Sequence, residues 1–470
     1  MTDLNFQSVT HLTAHYAAGT LSPVEVLEAT LTQIDRVDEK VRAYCIVDAD
    51  AARRAAQASE ARWAAKQPLS ALDGVPANIK DVFLVEGHAT RKGSRTSDPS
   101  QRATEESPCT ARLREAGAVL IGKTTLPEFG WKATGDSPLT GSTLNPWSHH
   151  HTAGGSSAGA AASLAAGTTT LAVGSDGGGS IRIPASFCGV YGLKPTQGVV
   201  PYFPRGPMGS LSHCGPMARG ASDLALMLDA LAGLDPRDAM HGPAQTRSFL
   251  EGITSGVRGL RIAYSPALGY ITVDSEIAHA VRNAALAFAW MGAIVEEVDP
   301  GFQSPQDSFN VLWKAGAAHL VTSMGEDQRA LLDPGLRAAA LEGTRFSAQD
   351  IVRADVERTN LGEHMGRFHQ RYDLLLTPAV AVPPLLAGEV LSDPSTESEW
   401  IDWAGFSYPF NMTRQPAASV PCGFTSKGLP IGLQIVAALH QDALVLRAAH
   451  AHEQSRPPIS WPAVAQTVPA

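Results

Sequence analysis

Residues 153–186 read AGGSSAGAAASLAAGTTTLAVGSDGGGSIRIPAS, and Asp176 and Arg182 are the charged residues among them. The first half is built from Gly, Ser and Ala and predicts a helix with almost no side-chain bulk. The run TTTLAVGSD that follows has the composition of a buried strand. A flexible linker does not need an apolar run at its centre, and a solvated segment is rarely so poor in charge. This stretch therefore predicts a buried helix and strand that lead into three consecutive glycines.

The sequence on either side of this stretch alternates between helix and strand signals. Residues 22–38 predict a helix that begins with Ser as its cap, Pro in its first position and Glu to close a capping box. A second helix is predicted over 49–66, and residues 107–125 read as helix, glycine turn and strand. The runs YDLLLTPA (372–379) and GLPIGLQIVA (428–437) read as core strands. This alternation predicts the α/β fold class.

Composition limits the classes of protein that this chain can belong to. Its 470 residues are 44% hydrophobic, which is enough for a large core. Length alone suggests roughly two to three domains, but no repeat or Pro/Ser-rich linker divides the chain, so we expect one large unit. The net charge of −9 comes without a dense basic block. Nucleic acid is therefore not expected as a partner.

The sequence also bears on location and bound metals. The N-terminal residues lack a basic region followed by an apolar one, and no run of about 18 apolar residues occurs elsewhere. Five scattered cysteines contain no CxxC pair, which indicates neither a disulfide framework nor a zinc site. We expect a cytoplasmic protein that uses no membrane, metal or cofactor.

The glycines and serines of the opening stretch allow three interpretations. A phosphate-binding loop requires Lys followed by Ser or Thr at a helix start, or GxGxxG after a strand, and SDGGGSIR has neither. A Ser-His-Asp centre is suggested by His149, His150 and His151, just before Ser156. Adjacent histidines point in different directions and no GxSxG elbow is present, so we predict a polar surface loop for them.

The third interpretation is a serine nucleophile served by a lysine. A lysine acts as a base only when it is neutral, and burial must lower its pKa towards neutrality. Of the nine lysines, Lys80 in GVPANIKDVFLV lies deepest in an apolar run, with Lys123 and Lys194 as rivals. Asp81 would raise the pKa of Lys80, but adjacent side chains on a strand face opposite ways. A structural salt bridge at the end of a sheet is the alternative role for Lys80.

The order of Lys80, Ser156 in GGSSAG and Ser180 in GSDGGGSIRIPASFCG resembles the amidase signature family. The two serines are 24 residues apart, and Lys80 lies 76 residues before Ser156. The resemblance continues through GVPANIKD, VLIGKTTLPEFGW, NPWSHHHTAGGSS, FCGVYGLKPT, FNMTRQPAASVPCGF and GLPIGLQIVA, and so covers most of the chain. Ala153 and Ala158 stand where the family usually has Pro and Gly, at positions that supply no catalytic chemistry.

The resemblance implies a large, mixed, twisted β-sheet covered by helices on both faces. It also implies a single domain over 1–470, with a helical layer over about 1–66, a catalytic core over about 67–235, a variable substrate-side segment over about 300–410, and C-terminal strands and a helix over about 411–470. The substrate-side segment is the hardest to parse from sequence and is expected to form the variable wall of the pocket.

The resemblance further implies a relay of three residues. Ser180 would attack the amide carbonyl, Ser156 would pass its proton on, and neutral Lys80 would be the final base. In such enzymes the bridging serine follows a cis peptide bond, here the bond between Gly155 and Ser156. The relay would later return the proton to the leaving nitrogen, because an amide anion is a very poor leaving group.

The glycines before the second serine have a physical reason of their own. A tetrahedral oxyanion needs converging backbone N–H donors within about 3 Å, and glycine lets the backbone approach closely. The donors that we expect are the amides of Gly177, Gly178, Gly179 and Ser180. By the resemblance, the residues that support this loop are Ser157, Asp176 and Arg182.

The segment PEFGWKATGDSP sits where similar enzymes form the acyl side of the pocket. It places Gly130 and Trp131 at the substrate, while Phe129 is expected in the core. Packing in the core is the alternative role for Trp131. An aromatic wall suits aryl or alkyl amides, anilides, esters or carbamates better than a charged amino acid.

Two activities follow from the resemblance. One is an amidohydrolase that acts on small linear amides with water. The other is the glutaminase component of a tRNA-dependent amidotransferase, its A subunit, although no Arg/Asp pair is evident at the expected acid-recognition positions. A binding protein that kept the fold is disfavoured because all three relay residues are present. A homodimer is an expectation at the level of the family.

Overall fold

The computed structural model describes residues 4–242 and 246–462. Its strands are β1 (Tyr44–Val47), β2 (Pro76–Lys80), β3 (Val119–Thr124), β4 (Asp136–Ser137), β5 (Gly141–Ser142), β6 (Leu144–Asn145), β7 (Ser148–Thr152), β8 (Leu171–Asp176), β9 (Tyr191–Lys194), β10 (His213–Ala218), β11 (Arg261–Tyr264), β12 (Ile294–Glu297), β13 (Leu374–Pro378), β14 (Ala417–Phe424) and β15 (Pro430–Ala437). Eleven of them form one sheet in the order β1-β3-β2-β8-β10-β9-β14-β15-β13-β11-β12, and β4 pairs with β5 and β6 with β7 in two small sheets.

The sheet is mixed. Strand β2 runs parallel to β3 and β8, and β11 runs parallel to β12 and β13. The remaining neighbours in the sheet are antiparallel. The parallel pairs thus lie on the two sides of an antiparallel centre.

The helices in the described residues are α1 (Val9–Ala18), α2 (Pro23–Val41), α3 (Ala49–Ala64), α4 (Pro108–Glu115), α5 (Ala158–Ala165), α6 (Arg182–Cys188), α7 (Ala221–Leu231), α8 (Ser275–Trp290), α9 (Gln306–Thr322), α10 (Glu326–Ala330), α11 (Pro334–Gly343), α12 (Ala348–Phe368), α13 (Trp400–Trp403), α14 (Pro409–Met412) and α15 (Asp442–Gln454). Within these ranges, no helix has the length and apolar character needed to cross a membrane.

The predicted start of α2 is confirmed. The Ser22 hydroxyl accepts the amide of Glu25 at 3.2 Å, and the Glu25 carboxylate accepts the amide of Ser22 at 2.8 Å. Both halves of the capping box are therefore made, and Pro23 fills the first helical position. The helix continues to Val41, beyond the end predicted near Asp38.

Helices cover both faces of the sheet, as the alternation of side chains along the strands demonstrates. On β8, Leu171 and Val173 belong to a buried cluster that contains Leu224 of α7. Ala172, between them, belongs to a second cluster that contains Ala161 of α5. Successive strand residues point to opposite faces, so each face is packed against helices. The small side chains of α5 let this helix lie close to the sheet.

The fold brings the ends of two strands together at one edge. Strands β2 and β8 are parallel, with Ala77 beside Leu171 and Ile79 beside Val173. The carboxyl ends of parallel strands lie at the same edge of a sheet. Lys80, the last residue of β2, therefore lies beside the end of β8.

Two regions differ from or extend the sequence-based picture. The segment over 300–410 is mostly helical, and it buries Trp313 and Trp400 in a cluster outside the sheet. The histidines at 149–151 belong to strand β7, which pairs with β6, so the loop predicted for them is wrong. The single domain over 1–470 stays a prediction, and residues 1–3, 243–245 and 463–470 of it lie outside the described part of the chain.

Candidate active site

Lys80 lies at the centre of a group of serine hydroxyls. Its Nζ is 2.7 Å from the Oγ of Ser156, 3.0 Å from that of Ser157 and 2.9 Å from that of Ser175. The side chain is fully buried. The structure thus brings together Lys80 from β2, Ser156 and Ser157 from the turn before α5, and Ser175 from β8.

Burial makes this lysine a weak base that can be neutral. Loss of hydration lowers the pKa of Lys80 to about 7, although the negative charge of Asp176 opposes this shift. A charged ammonium group is costly where water is excluded, because the surrounding protein solvates it poorly. The neutral amine that a base requires is therefore accessible near pH 7.

Ser156 and Ser157 occupy the turn that precedes α5. The peptide bond between Gly155 and Ser156 is cis, as the resemblance implies. Ser157 donates to the carbonyl of Ser175 at 3.1 Å and accepts the amide of Ser175 at 3.2 Å. These bonds fix the turn against the end of β8. A Cβ atom on Gly130 would lie 3.1 Å from the Ser156 hydroxyl, so the glycine leaves room beside the relay serine.

Ser180 lies after the three glycines, at the start of α6. Its carbonyl accepts the amide of Ser157 at 3.0 Å, which ties the two serine-bearing turns together. The amide of Gly179 donates to the Asp176 carboxylate at 2.7 Å. In the described residues the amides of Gly177, Gly178 and Ser180 donate to no group. These three amides are available for an oxyanion, while that of Gly179 is already occupied.

Asp176 and Arg182 brace the glycine loop. The guanidinium of Arg182 contacts both carboxylate oxygens of Asp176 at 3.0 Å, and both side chains are fully buried. Burial alone would raise the pKa of the Asp176 carboxyl, but Arg182 outweighs this effect and holds that pKa well below its usual range. Arg182 also donates to Gln434 at 2.7 Å and to Asn411 at 2.6 Å. The loop is thereby bonded to the C-terminal strands.

The rival lysines have other partners. Lys123 forms a buried ion pair with Asp81 at 2.5 Å, so Asp81 faces away from Lys80 as its position on the strand predicts. Lys194 donates to the backbone carbonyls of Gln415 and Pro195. Neither rival contacts a serine hydroxyl in the described part of the chain.

Ser156 and Ser180 open into a cleft of about 90 Å³. Its apolar lining is formed by Val82, Phe129, Tyr202, Met208, Trp313 and Leu320. Gly130 also belongs to this lining, next to Ser156, and its role at the substrate stays a prediction. The cleft therefore has an apolar and partly aromatic wall on one side of the hydroxyl groups.

Trp131 and Phe129 line different cavities, and the role of Trp131 at the substrate stays a prediction. Trp131 does not line this cleft, because its ring packs against Gly335 at a second cavity. Its carbonyl accepts the indole N–H of Trp313 at 3.1 Å, so it supports the wall indirectly. Phe129, expected in the core, lines the cleft instead. The left-handed backbone at Phe129 and Gly130, with φ of 50° and 72°, breaks the extended alternation that would have directed Trp131 inwards.

Sequence reasoning did not assign a role to Ser175 or Asn411. Ser175 could have been found, because it precedes Asp176 at the end of a predicted strand beside Lys80. Asn411 donates to the Asp176 carboxylate at 2.8 Å, from 235 residues away, and no local signal marks it. No group of His, Cys, Asp or Glu in the described residues is arranged to hold a metal ion.

Comparison with known proteins places this geometry in a family. The family model described as Amidase matches residues 25–446, which include every residue of the site. The chain belongs to the amidase family. An acylamidase from Rhodococcus erythropolis is 38% identical over 462 residues, covering 97% of this chain and 96% of the relative. The chain is a hydrolase that acts on carbon–nitrogen bonds of linear amides.

Further amidase-family proteins resemble the chain over nearly its whole length. The A subunit of the glutamyl-tRNA(Gln) amidotransferase from Myxococcus xanthus (strain DK1622) is 35% identical, covering 97% of each sequence. The crystal structure of a bacterial aryl acylamidase of the amidase signature enzymes has a TM-score of 0.90 at 30% identity and covers 96% of each chain. The predicted fold class, a large mixed sheet covered by helices, is confirmed.

Proposed function

We propose that the chain hydrolyses small linear amides through an acyl-enzyme on Ser180, with Ser156 as the relay and Lys80 as the base. The observation that carries this proposal is the 2.7 Å contact between the Nζ of the fully buried Lys80 and the Oγ of Ser156, which lines the cleft. A neutral amine beside a hydroxyl group can take its proton. That hydroxyl can then accept the proton of a second serine.

In the first half of the reaction the Ser180 Oγ attacks the amide carbon. Its proton passes to Ser156 as the Ser156 proton passes to Lys80. The oxyanion that forms is held by the amides of the glycine loop. Lys80 then returns a proton through Ser156 to the nitrogen, the carbon–nitrogen bond breaks, and an amine leaves with the acyl group on Ser180.

In the second half a water molecule takes the place of the amine. Its proton passes through the same relay as its oxygen attacks the ester carbon. The bond between this carbon and the Ser180 Oγ breaks, and the proton returns to Ser180. The products are a carboxylic acid and the regenerated enzyme, so no metal or cofactor is required by the balance of atoms and charges.

The expected substrates are aryl and alkyl amides and anilides, with esters and carbamates as further members of the class. The apolar lining that includes Phe129 and Trp313 supports this class, because aromatic side chains bind flat apolar groups. The similarity to the R. erythropolis acylamidase and to the bacterial aryl acylamidase supports it as well.

A second candidate is a glutaminase that delivers ammonia to a partner within an amidotransferase. The 35% identity with the M. xanthus protein favours it. The ammonium group of glutamine would need a free acid in the cleft. Asp176 lines the cleft, but its carboxylate is already bound by Arg182. The amidohydrolase is therefore the preferred candidate.

The decisive experiment combines kinetics with trapping of the acyl-enzyme. Ser180→Ala is expected to lower kcat/KM for acetanilide by about 10,000-fold or more, because the nucleophile is lost. In the unmodified protein, rapid quenching and mass spectrometry should locate the acetyl group on the peptide that contains Ser180. Ser186→Ala is the matched control, since Ser186 is a buried serine of the same segment and is expected to leave turnover nearly unchanged.

Near-normal turnover by Ser180→Ala, or an acetyl group on another residue, would contradict the proposal. Ammonia release from glutamine that exceeds amine release from every anilide would favour the glutaminase. Light scattering would test the expected homodimer. Cytoplasmic location and the absence of a nucleic-acid partner remain proposals based on the sequence.

A further inference from the structure

Lys92 differs from every other lysine in the interior of this protein. It is partly buried and lines the cleft into which the serines open. In the described residues its Nζ makes no hydrogen bond and no ion pair. The lysines that are fully buried all have polar partners at their Nζ atoms: Lys80, Lys123, Lys132, Lys194 and Lys314. A cation that is partly withdrawn from water and left without a partner favours binding of an anion.

The backbone holds Lys92 at this place. Its amide and that of Arg91 both donate to one carboxylate oxygen of Asp81, at 2.9 and 3.1 Å. Lys92 itself is left-handed, with φ of 53°, a conformation that a lysine rarely adopts. Asp81 directly follows Lys80, so the segment that carries Lys92 is anchored to the strand that carries the base.

A second left-handed residue of the cleft is bonded to Lys92. The amide of Phe129 donates to the carbonyl of Lys92 at 2.7 Å, and Phe129 has φ of 50°. Strained backbone of this kind persists where the surrounding structure imposes it, and it is common at binding sites. The structure thus bonds the backbones of Phe129 and Lys92 to each other, and both residues line the cleft.

The position of this pair indicates which half of the substrate it meets. Gly130, which follows Phe129, borders the Ser156 hydroxyl so closely that a Cβ atom on the glycine would lie 3.1 Å from it. In the proposed reaction Ser156 returns the proton to the leaving nitrogen. The amine half of the amide is thereby placed on the side of the cleft where Phe129 and Lys92 are, in contrast to the acyl side that the family resemblance implies for the segment of Phe129.

Among the described residues, the ammonium group of Lys92 is the charge in the cleft lining that forms no ion pair. Asp176 also lines the cleft, but both of its oxygens are bound by Arg182. Lys80 is partly neutral near pH 7, since its pKa is about 7. Burial lowers the pKa of Lys92, although Asp81 opposes the shift, so an anion placed beside the ammonium would restore the charged form.

We propose that Lys92 is a specificity-determining residue that binds a carboxylate on the amine half of the substrate, with the adjoining aryl or alkyl part against Phe129. The preferred substrates are then N-acylated amines that carry one negative charge, such as acylated aminobenzoates. This inference rests on the proposed amide hydrolysis and names the substrate class of the same site.

A series of three anilides that differ in charge tests the proposal. Acetanilide is neutral, para-acetamidobenzoate carries one negative charge, and para-aminomethyl acetanilide carries one positive charge. Intrinsic reactivity cancels when each variant is compared with the unmodified protein on the same substrate. Lys92→Asn removes the cation while keeping a residue that tolerates the left-handed backbone.

Lys92→Asn is expected to reduce kcat/KM for the benzoate by roughly 10- to 100-fold more than for acetanilide, mainly through KM. In this variant, kcat/KM for the aminomethyl substrate should rise relative to kcat/KM for acetanilide. Lys92→Arg should keep most of the preference for the anion, and added salt should weaken that preference in the unmodified protein. Lys66→Asn is the control, since Lys66 is an exposed lysine with φ of 57°.

Equal losses on all three substrates, or no change on any of them, would overturn the role of Lys92. The two proposals fail in different ways. If Ser180→Ala still hydrolyses acetanilide, the proposed function is wrong. If Ser180→Ala is inactive and Lys92→Asn has no charge selectivity, the carboxylate site alone is wrong.

Discussion

Lys80 and Lys194 are two fully buried lysines of the same sheet, each the last residue of its strand. Burial lowers the pKa of both side chains to about 7, and Asp176 opposes the shift in both cases. Their partners differ. The Nζ of Lys80 lies within 3.0 Å of three serine hydroxyls, whereas that of Lys194 donates to the carbonyls of Gln415 and Pro195.

This difference separates a base from a structural cation. A backbone carbonyl has no proton to give, so a neutral Lys194 has nothing to deprotonate. The hydroxyl of Ser156 has a proton and opens into a cleft where a substrate can reach it. A lowered pKa makes a lysine available as a base, and the chemistry of its neighbours decides whether it acts as one.

The largest effect is expected when the two lysines are compared by the same substitution. Lys80→Met should lower kcat/KM for acetanilide by about 100- to 10,000-fold, because the base is lost. Lys194→Met should retain turnover. It should instead lower the free energy of unfolding by about 1 to 3 kcal/mol, because the carbonyls of Gln415 and Pro195 lose their donor. Steady-state kinetics and urea unfolding of both variants measure this contrast.

Circular dichroism should confirm that both variants are folded. The distinction between the two lysines would be contradicted if folded Lys194→Met lost as much turnover as Lys80→Met. Near-normal turnover by folded Lys80→Met would contradict it as well. Either result would mean that contact with the serines does not distinguish the two lysines.

A tenfold effect per pH unit is expected from protonation of Lys80. Its pKa is about 7, and the proposed base is the neutral form. Below this pH the ammonium form dominates, so kcat/KM should fall about tenfold for each unit, and above it kcat/KM should level off. Measurement between about pH 5 and 9, with an anilide that does not titrate there, gives the profile.

Lys194 has the same pKa of about 7 and serves as the control for this profile. Lys194→Met should leave the acidic limb in place, because Lys194 does not exchange protons with the serines. Loss of the limb in that variant would assign the titration to Lys194 and contradict the role given to Lys80.

The smallest effect is expected from removing one partner of Lys80. Ser175→Ala deletes an oxygen that lies 2.9 Å from the Nζ. An oxygen at this distance stabilises the ammonium form more than the amine, so its loss should move the midpoint of the pH profile to lower pH, by up to about one unit. Turnover at high pH should change only a few-fold.

Ser163→Ala is the matched control for this change. Ser163 is a buried serine of α5 whose hydroxyl accepts from Asn78 at 2.8 Å and does not contact Lys80. Its substitution should leave the midpoint where it is. An upward shift in Ser175→Ala would show that Ser175 favours the neutral amine.

Much of the fold was predictable from local sequence. The capping box at Ser22, the small-residue helix over 158–165 and the strand over 171–176 follow from residue types and spacing within a few positions. The histidines at 149–151 were not predictable in the same way. Ser148 and Thr152 of β7 pair with β6 and His151 pairs with Leu386, whereas the residues of β7 alone carry no alternation that would indicate a strand.

The directions in which the side chains of the cleft point were harder to predict from the sequence. The sequence places Phe129, Gly130 and Trp131 side by side, and the family resemblance assigned Gly130 and Trp131 to the pocket. The cleft lining contains Phe129 and Gly130 rather than Trp131, and the backbone at Phe129 is left-handed. That conformation is imposed partly by the bond from its amide to the carbonyl of Lys92, which comes from another segment.

The sequence by itself determined the order of Lys80, Ser156 and Ser180, the absence of bulk and charge around the serines, and the glycines that a close approach requires. These are properties of residue type and spacing, which no other part of the chain can alter. The tertiary structure alone decided that Lys80 loses its water and meets Ser156 across 76 residues. It also decided that Lys194 donates to backbone carbonyls, because burial and partners are properties of the assembled sheet and helices rather than of any one segment.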